Sequence, residues 1–111
     1  MDNDAVYTLK EYIDVKKKVL ADLDAAGWGF AVAKWCREPW QPLRINGESG
    51  GHATKGYNPY EYYAPDLDPD LTEIHYHQYD CGVLVEIMEI AKKHGAYWEN
   101  VNTAETELTL L

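Results

Sequence analysis

Cysteine is scarce in this chain of 111 residues, with only Cys36 and Cys81, and there is one phenylalanine and two methionines. Two thiols cannot staple a small secreted domain, so stability must come from a packed core. Long apolar runs are also missing. Uninterrupted apolar stretches such as Phe30 to Ala33 and Val83 to Val85 are far short of the ~20 residues that a membrane-spanning helix needs. The opening Met-Asp-Asn-Asp-Ala-Val is acidic and no apolar segment follows it, which predicts no targeting signal and reduced thiols in a bacterial or infected-cell cytoplasm.

Basic residues are absent from a long internal stretch. Between Lys55 and Lys92 there is no lysine or arginine, whereas Glu61, Asp66, Asp68, Asp70, Glu73, Asp80, Glu86 and Glu89 all lie there. That stretch accounts for most of the formal net charge of −9. Such a charge repels nucleic acid and anionic membranes and suits a partner with a basic surface. The remaining composition, 46% hydrophobic and 26% charged, is that of a globular chain able to bury roughly 65% of its unfolded surface in one core. A single domain over 1–111 is expected.

Hydrophobic periodicity predicts a helix over 8–27. Thr8 and Glu11 have the spacing of a capping box; Leu9, Tyr12, Ile13, Val19, Leu20 and Leu23 form the apolar face; Gly27 closes it. Trp28 to Trp35 alternates at period two and predicts a strand. Prolines and glycines then predict a long Gly/Pro/Tyr-rich loop at about 40–71. Alternation over 72–79 predicts a second strand. Asp80 is placed to cap a second helix with the stripe Leu84, Ile87, Met88 and Ala91, ending at His94 and Gly95. Tyr97 to Val101 and Glu107 to Leu110 read as terminal strands. The order α-β-loop-β-α-β-β predicts an α+β fold, in which a small, mainly antiparallel sheet of three or four strands carries both helices on one face.

The acidic stretch also holds Tyr57, Tyr60, Tyr62, Tyr63, Tyr76 and Tyr79, with Pro59, Pro65 and Pro69 among them. Carboxylates alternating with rings on a proline-stiffened backbone suit a surface rich in arginine and lysine, because arginine pairs with carboxylates and stacks on rings. A solvated acidic loop with half-buried tyrosines is the plainer reading. The functional expectation is a non-enzymatic blocker. Glu61, Asp66, Asp68, Asp70 and Glu73 would take the place of phosphates on a basic, nucleic-acid-binding or nucleic-acid-cleaving protein. Trp40, Tyr60, Tyr62 and Tyr63 would be its anchors. Immunity factors against toxins and phage-encoded blockers of host defence share this size and charge, though no motif. Pairing of sheet edges near the C-terminus would allow a homodimer.

Other constellations fit specific chemistry less well. Asp66-Leu-Asp68-Pro-Asp70 begins like a calcium loop, but Leu71 stands where glycine is required and His77 where a bidentate glutamate is required. His75, His77 and Cys81, joined by Cys36, His52 or His94, could supply zinc ligands, yet no paired-cysteine motif is present. Cys81 at a predicted helix start, close to His77, is the alternative site, that of a small thiol enzyme or of a metal or ligand centre, with Asp80 opposing thiolate formation. Gly47 to Gly56 has the composition of a phosphate loop without its order. No resident cofactor or metal is expected. Arg37, Arg44 and Lys55 give the glycine-rich segment a basic character that could fold against the acids.

Overall fold

Tyr12, Lys16, Val19 and Leu23 follow one another at helical spacing and form the buried stripe of α1 (Lys10–Ala25). They belong to a computed structural model that describes residues 9–47, 59–61 and 79–111. The helix starts later than a capping box on Thr8 requires. Leu9 is its N-cap and makes no side-chain cap bond; it is 54% exposed, not part of the apolar face. Thr8 lies outside the described residues. At the other end Trp28 N donates to Leu23 O (2.8 Å) and Gly27 N to Asp24 O (3.1 Å). These are the two bonds of a Schellman turn around the left-handed Gly27.

The expected strand at 28–35 is absent. Two 3-10 turns occupy the segment, Gly29–Ala31 and Lys34–Arg37, closed by Ala31 N to Trp28 O (3.0 Å) and Cys36 N to Ala33 O (3.0 Å). The buried residues Trp28, Ala31, Val32 and Cys36 lie three or four positions apart, a helical spacing that local i to i+3 bonds can satisfy. Val32 alone pairs as a strand residue, with Ile45. Trp35, in the second 3-10 turn, is exposed. Arg37 fastens the segment to α1. Its guanidinium is bidentate on Asp24 (3.0 and 2.8 Å) and also reaches Gly29 O (3.2 Å).

Within the stretch expected to be loop, Arg44–Asn46 forms β1. It pairs antiparallel with β5 (Glu105–Leu110), which pairs antiparallel with β4 (Ala96–Asn100), giving the order β1-β5-β4. Ile45 faces Thr106 and Trp98 faces Leu108, and these four with Ala96 are the buried side of the sheet. Arg44, Glu105, Glu107, Glu99 and Thr109 stand on the other side. Both helices reach the buried side: Tyr12 Oη of α1 donates to Leu108 O (2.8 Å), and Trp98 Nε1 donates to Ile87 O (2.9 Å) in α2 (Val85–Lys93). The fold is α+β, as the order of elements predicts.

The second helix, α2 (Val85–Lys93), starts later than an Asp80 cap would place it, with Leu84 as N-cap. A short hairpin precedes it: β2 (Tyr79–Asp80) pairs with β3 (Val83–Leu84) around Cys81 and Gly82. Both turn residues have positive φ, 51° and 83°, as a two-residue type I′ turn demands. Of the strand expected over 72–79, only Tyr79 is described. Gly95 ends α2 at a φ of 75°. Among the described residues no helix is long and apolar enough to cross a membrane.

Candidate functional site

Within the acidic stretch, the backbone at 59–61 and at 79–84 is joined in one piece. Tyr60 pairs with Val83 on one side and Asp80 pairs with the same Val83 on the other. Glu61 N donates to Gly82 O (2.8 Å) and Leu84 N to Pro59 O (3.0 Å). Neighbouring strands are about 4.8 Å apart, so Tyr60 and Asp80 flank Val83 at a separation of about 10 Å. Glu61, an expected site residue, is exposed, and Tyr79 is buried.

Tyr60 itself is a correction. Expected to be a partner anchor, it is 2% exposed, and its hydroxyl donates to Asn102 O (2.8 Å). Its ring belongs to the core cluster with Val83, Leu84 and Ile45. Gly47 makes this position possible. A methyl group on Gly47 would lie 2.0 Å from Tyr60 O, so a side chain there collides with backbone. Gly47 N also donates to Ala104 O (2.9 Å), which fixes the glycine against the same β4–β5 connection that receives the tyrosine hydroxyl.

Trp40 sits differently, at 56% exposure. Gln41 N donates to Glu38 O (3.1 Å), making Glu38–Gln41 a β-turn with Pro39 at its second position. Trp40, at the third, has no positive φ, so the turn is type I. Beneath it lies Lys16, 2% exposed, whose Nζ donates to Glu38 O (2.5 Å) and Gln41 O (2.7 Å). Burial lowers the Lys16 pKa against the opposing pull of Cys36 and Glu38. Cys36 is fully buried, and burial pushes its thiol up, so it is an inert neighbour of the clamp. Lys16 was not among the residues expected to matter. The signal was present: it interrupts the stripe Tyr12, Val19 and Leu23 at a position where an apolar side chain would fit.

Tyr62, Tyr63, Asp66, Asp68, Asp70, Glu73, His52, His75 and His77 lie outside the described residues. Cys81 is exposed, but it occupies the tip of the β2–β3 turn and not a helix start, because α2 begins only at Val85. The dipole argument for an activated thiolate is thereby lost. Among the described residues no group of three or more His, Cys, Asp and Glu is arranged to hold a metal ion. The basic residues of the 37–55 segment are engaged within the fold, Arg37 with Asp24 and Arg44 with Glu107 (2.9 Å) and Glu105 (3.9 Å). Lys55 is outside the described residues.

His94, expected at the end of the second helix, is the C-cap of α2 and spans to α1. Its Nε2 lies 2.7 Å from Asp22 Oδ2, which Lys93 Nζ also approaches at 3.3 Å. No basic residue falls in the last turn of α1, so Lys93 supplies from α2 the positive charge that the end of α1 favours. The hydrogen bond from His94, supported by Lys93 and opposed by some desolvation, holds the Asp22 carboxyl below its usual range. The group thus stabilises the fold above its unfolded pKa, and that stabilisation is lost as pH falls through the depressed folded value. Asp22→Asn should therefore lose stability at neutral pH and flatten the acid limb of a thermal-unfolding series run against pH. An unchanged acid limb would contradict the assignment.

Between the two helices Asp22, Ala25, Ala26, Glu89, Ile90 and Lys93 line an open groove of about 440 Å³. No family model, no curated protein and no solved structure matches this chain.

Proposed function

We propose that the chain is a non-enzymatic acidic binding protein that occludes a basic, nucleic-acid-binding or nucleic-acid-cleaving surface on a partner protein, in the manner of an immunity factor or an anti-defence blocker. The observation that carries this reading is the pairing of Tyr60 and Asp80, within the acidic stretch, on either side of Val83. Five acids and no base lie from Glu61 to Glu73. A segment fixed at Tyr60 and at Asp80 loses less entropy on binding than a free acidic tail would. Carboxylates take positions that phosphates occupy on the partner, and like charge keeps nucleic acid itself away.

Capture from host lysate at low and then moderate salt, read by mass spectrometry, is the direct test. A single basic, nucleic-acid-handling protein should be retained and should weaken with salt. The triple variant Asp66→Lys, Asp68→Lys, Asp70→Lys should lose that partner entirely while keeping the wild-type melting temperature. Retention of the partner by the triple variant would refute the proposal.

A further inference from the structure

We infer that Asn46 is a self-modification site that the closed fold keeps silent. Once β1 parts from β5, the Asn46–Gly47 peptide converts to aspartate and isoaspartate, and the chain is marked as one that has opened. The inference is independent of the partner proposed above.

Asn46 is the one asparagine of the chain that glycine follows; Asn58 precedes a proline, and Asn100 and Asn102 precede the β-branched Val101 and Thr103. With no Cβ in the way, the Gly47 backbone nitrogen can attack Cγ of the Asn46 side chain. The new N–Cγ bond closes a five-membered succinimide. The side-chain nitrogen leaves as ammonia, carrying the proton that Gly47 N gives up. Water then adds to either ring carbonyl, and opening of the ring leaves aspartate or isoaspartate. Water is the sole co-reactant.

The fold opposes ring closure in three ways. Asn46 is a strand residue paired with Glu105, and extended backbone keeps its ψ near +135°, roughly; bringing Gly47 N onto Cγ needs rotation away from that value. Gly47 N is itself engaged, donating to Ala104 O (2.9 Å). Gly47 is also buried, with Tyr60 O where its Cβ would stand, 2.0 Å away. It cannot swing aside unless Tyr60 leaves Val83 and Asn102 O. The reactive geometry is therefore reached through local opening. The product does not fit back. The bonds of Gly47 N to Ala104 O and of Leu108 N to Leu43 O make Asn46 and Glu105 a non-hydrogen-bonded pair, whose side chains stand close together. Aspartate at 46 faces Glu105, and the nearby Arg44 is already on Glu107. Like charges directly opposite destabilise a sheet. Isoaspartate adds a methylene to the backbone and shifts β1 against β5. Modification of the open form makes the opening irreversible.

The full chain is held at mildly alkaline pH in buffer and in urea above its unfolding midpoint, and Asn46 is followed by peptide mapping. Conversion raises the peptide mass, and retention time separates aspartate from isoaspartate. It should be slower in buffer than in urea by on the order of 100-fold or more, as for a site that reacts only in opened molecules. Asn46→Gln should show no such gain in urea, because its longer side chain would have to close a six-membered ring. Tyr60→Phe, which loses the bond to Asn102 O, should speed conversion in buffer about fivefold while remaining folded. Chains converted in urea and returned to buffer should melt several degrees below chains that passed through urea too briefly to convert. Equal rates in buffer and urea overturn the inference, as does an Asn46 that stays an amide in urea. An unchanged rate in Tyr60→Phe, or a converted chain with the wild-type melting temperature, overturns it as well.

Discussion

Gly47→Ala is expected to destabilise the protein by about 2–4 kcal/mol, a large effect for one added methyl group. The reason is specific to the neighbour. The new Cβ would stand 2.0 Å from Tyr60 O, and a backbone carbonyl cannot rotate away as a side-chain tip can. Either Gly47 retreats, breaking its bond to Ala104 O, or Tyr60 retreats, losing Val83 and Asn102 O. In the second case the near end of the acidic stretch comes loose from β3. Urea denaturation of the variant checks the first consequence through the shift in midpoint. Partner capture checks the second, since binding should fall even at temperatures where the variant remains folded. A loss of stability under about 0.5 kcal/mol, the scale of an ordinary surface substitution, would mean that the contact between Gly47 and Tyr60 is not tight in solution.

Lys16→Met should cost about 1–2 kcal/mol and loosen the turn that carries Trp40. Methionine keeps the length and apolar stem of lysine but leaves Gln41 O without its donor and Glu38 O with one bond fewer. Each lost charge-assisted bond is worth roughly 1.5–3 kcal/mol. Relief of the buried ammonium's desolvation returns part of that. The second signature is pH-dependent. Burial holds the Lys16 pKa below its ordinary value of 10.5, so across the interval between the two the unfolded chain binds more protons and stability rises with pH. The variant should lack this rise. Acrylamide quenching in a Trp35→Phe background should increase, because Trp40 gains mobility. Wild-type stability together with unchanged quenching would show that the ammonium does not support the turn.

The elements that the sequence made legible are those whose residues carry their own periodicity or cap. The stripes of α1 and α2, the left-handed glycines at 27 and 95 and the alternation in β4 and β5 all follow from local geometry. Trp40 is readable as exposed because Pro39 and Pro42 deny it a place in a strand. The segment 28–35 was ambiguous because its apolar residues satisfy period two and helical spacing equally, and the Schellman turn with the Asp24–Arg37 clamp decides between them. Three residues of β1 carry no pattern of their own. They become a strand only because β5 offers a ladder beside them.

The candidate site divides in the same way. Sequence alone determined its charge, its tyrosine and proline content and the absence of any strong catalytic or metal-ligand motif. Tertiary structure decided that Tyr60 is interior, that Lys16 supports a turn from beneath, and that Cys81 sits in a hairpin turn. The first two outcomes depend on partners far away in the chain: Gly47 and Asn102 for Tyr60, Glu38 and Gln41 for Lys16. Periodicity reports on neighbours within a turn or two. Burial is set by whichever distant backbone arrives to cover a side chain, and that is decided only when the chain closes on itself.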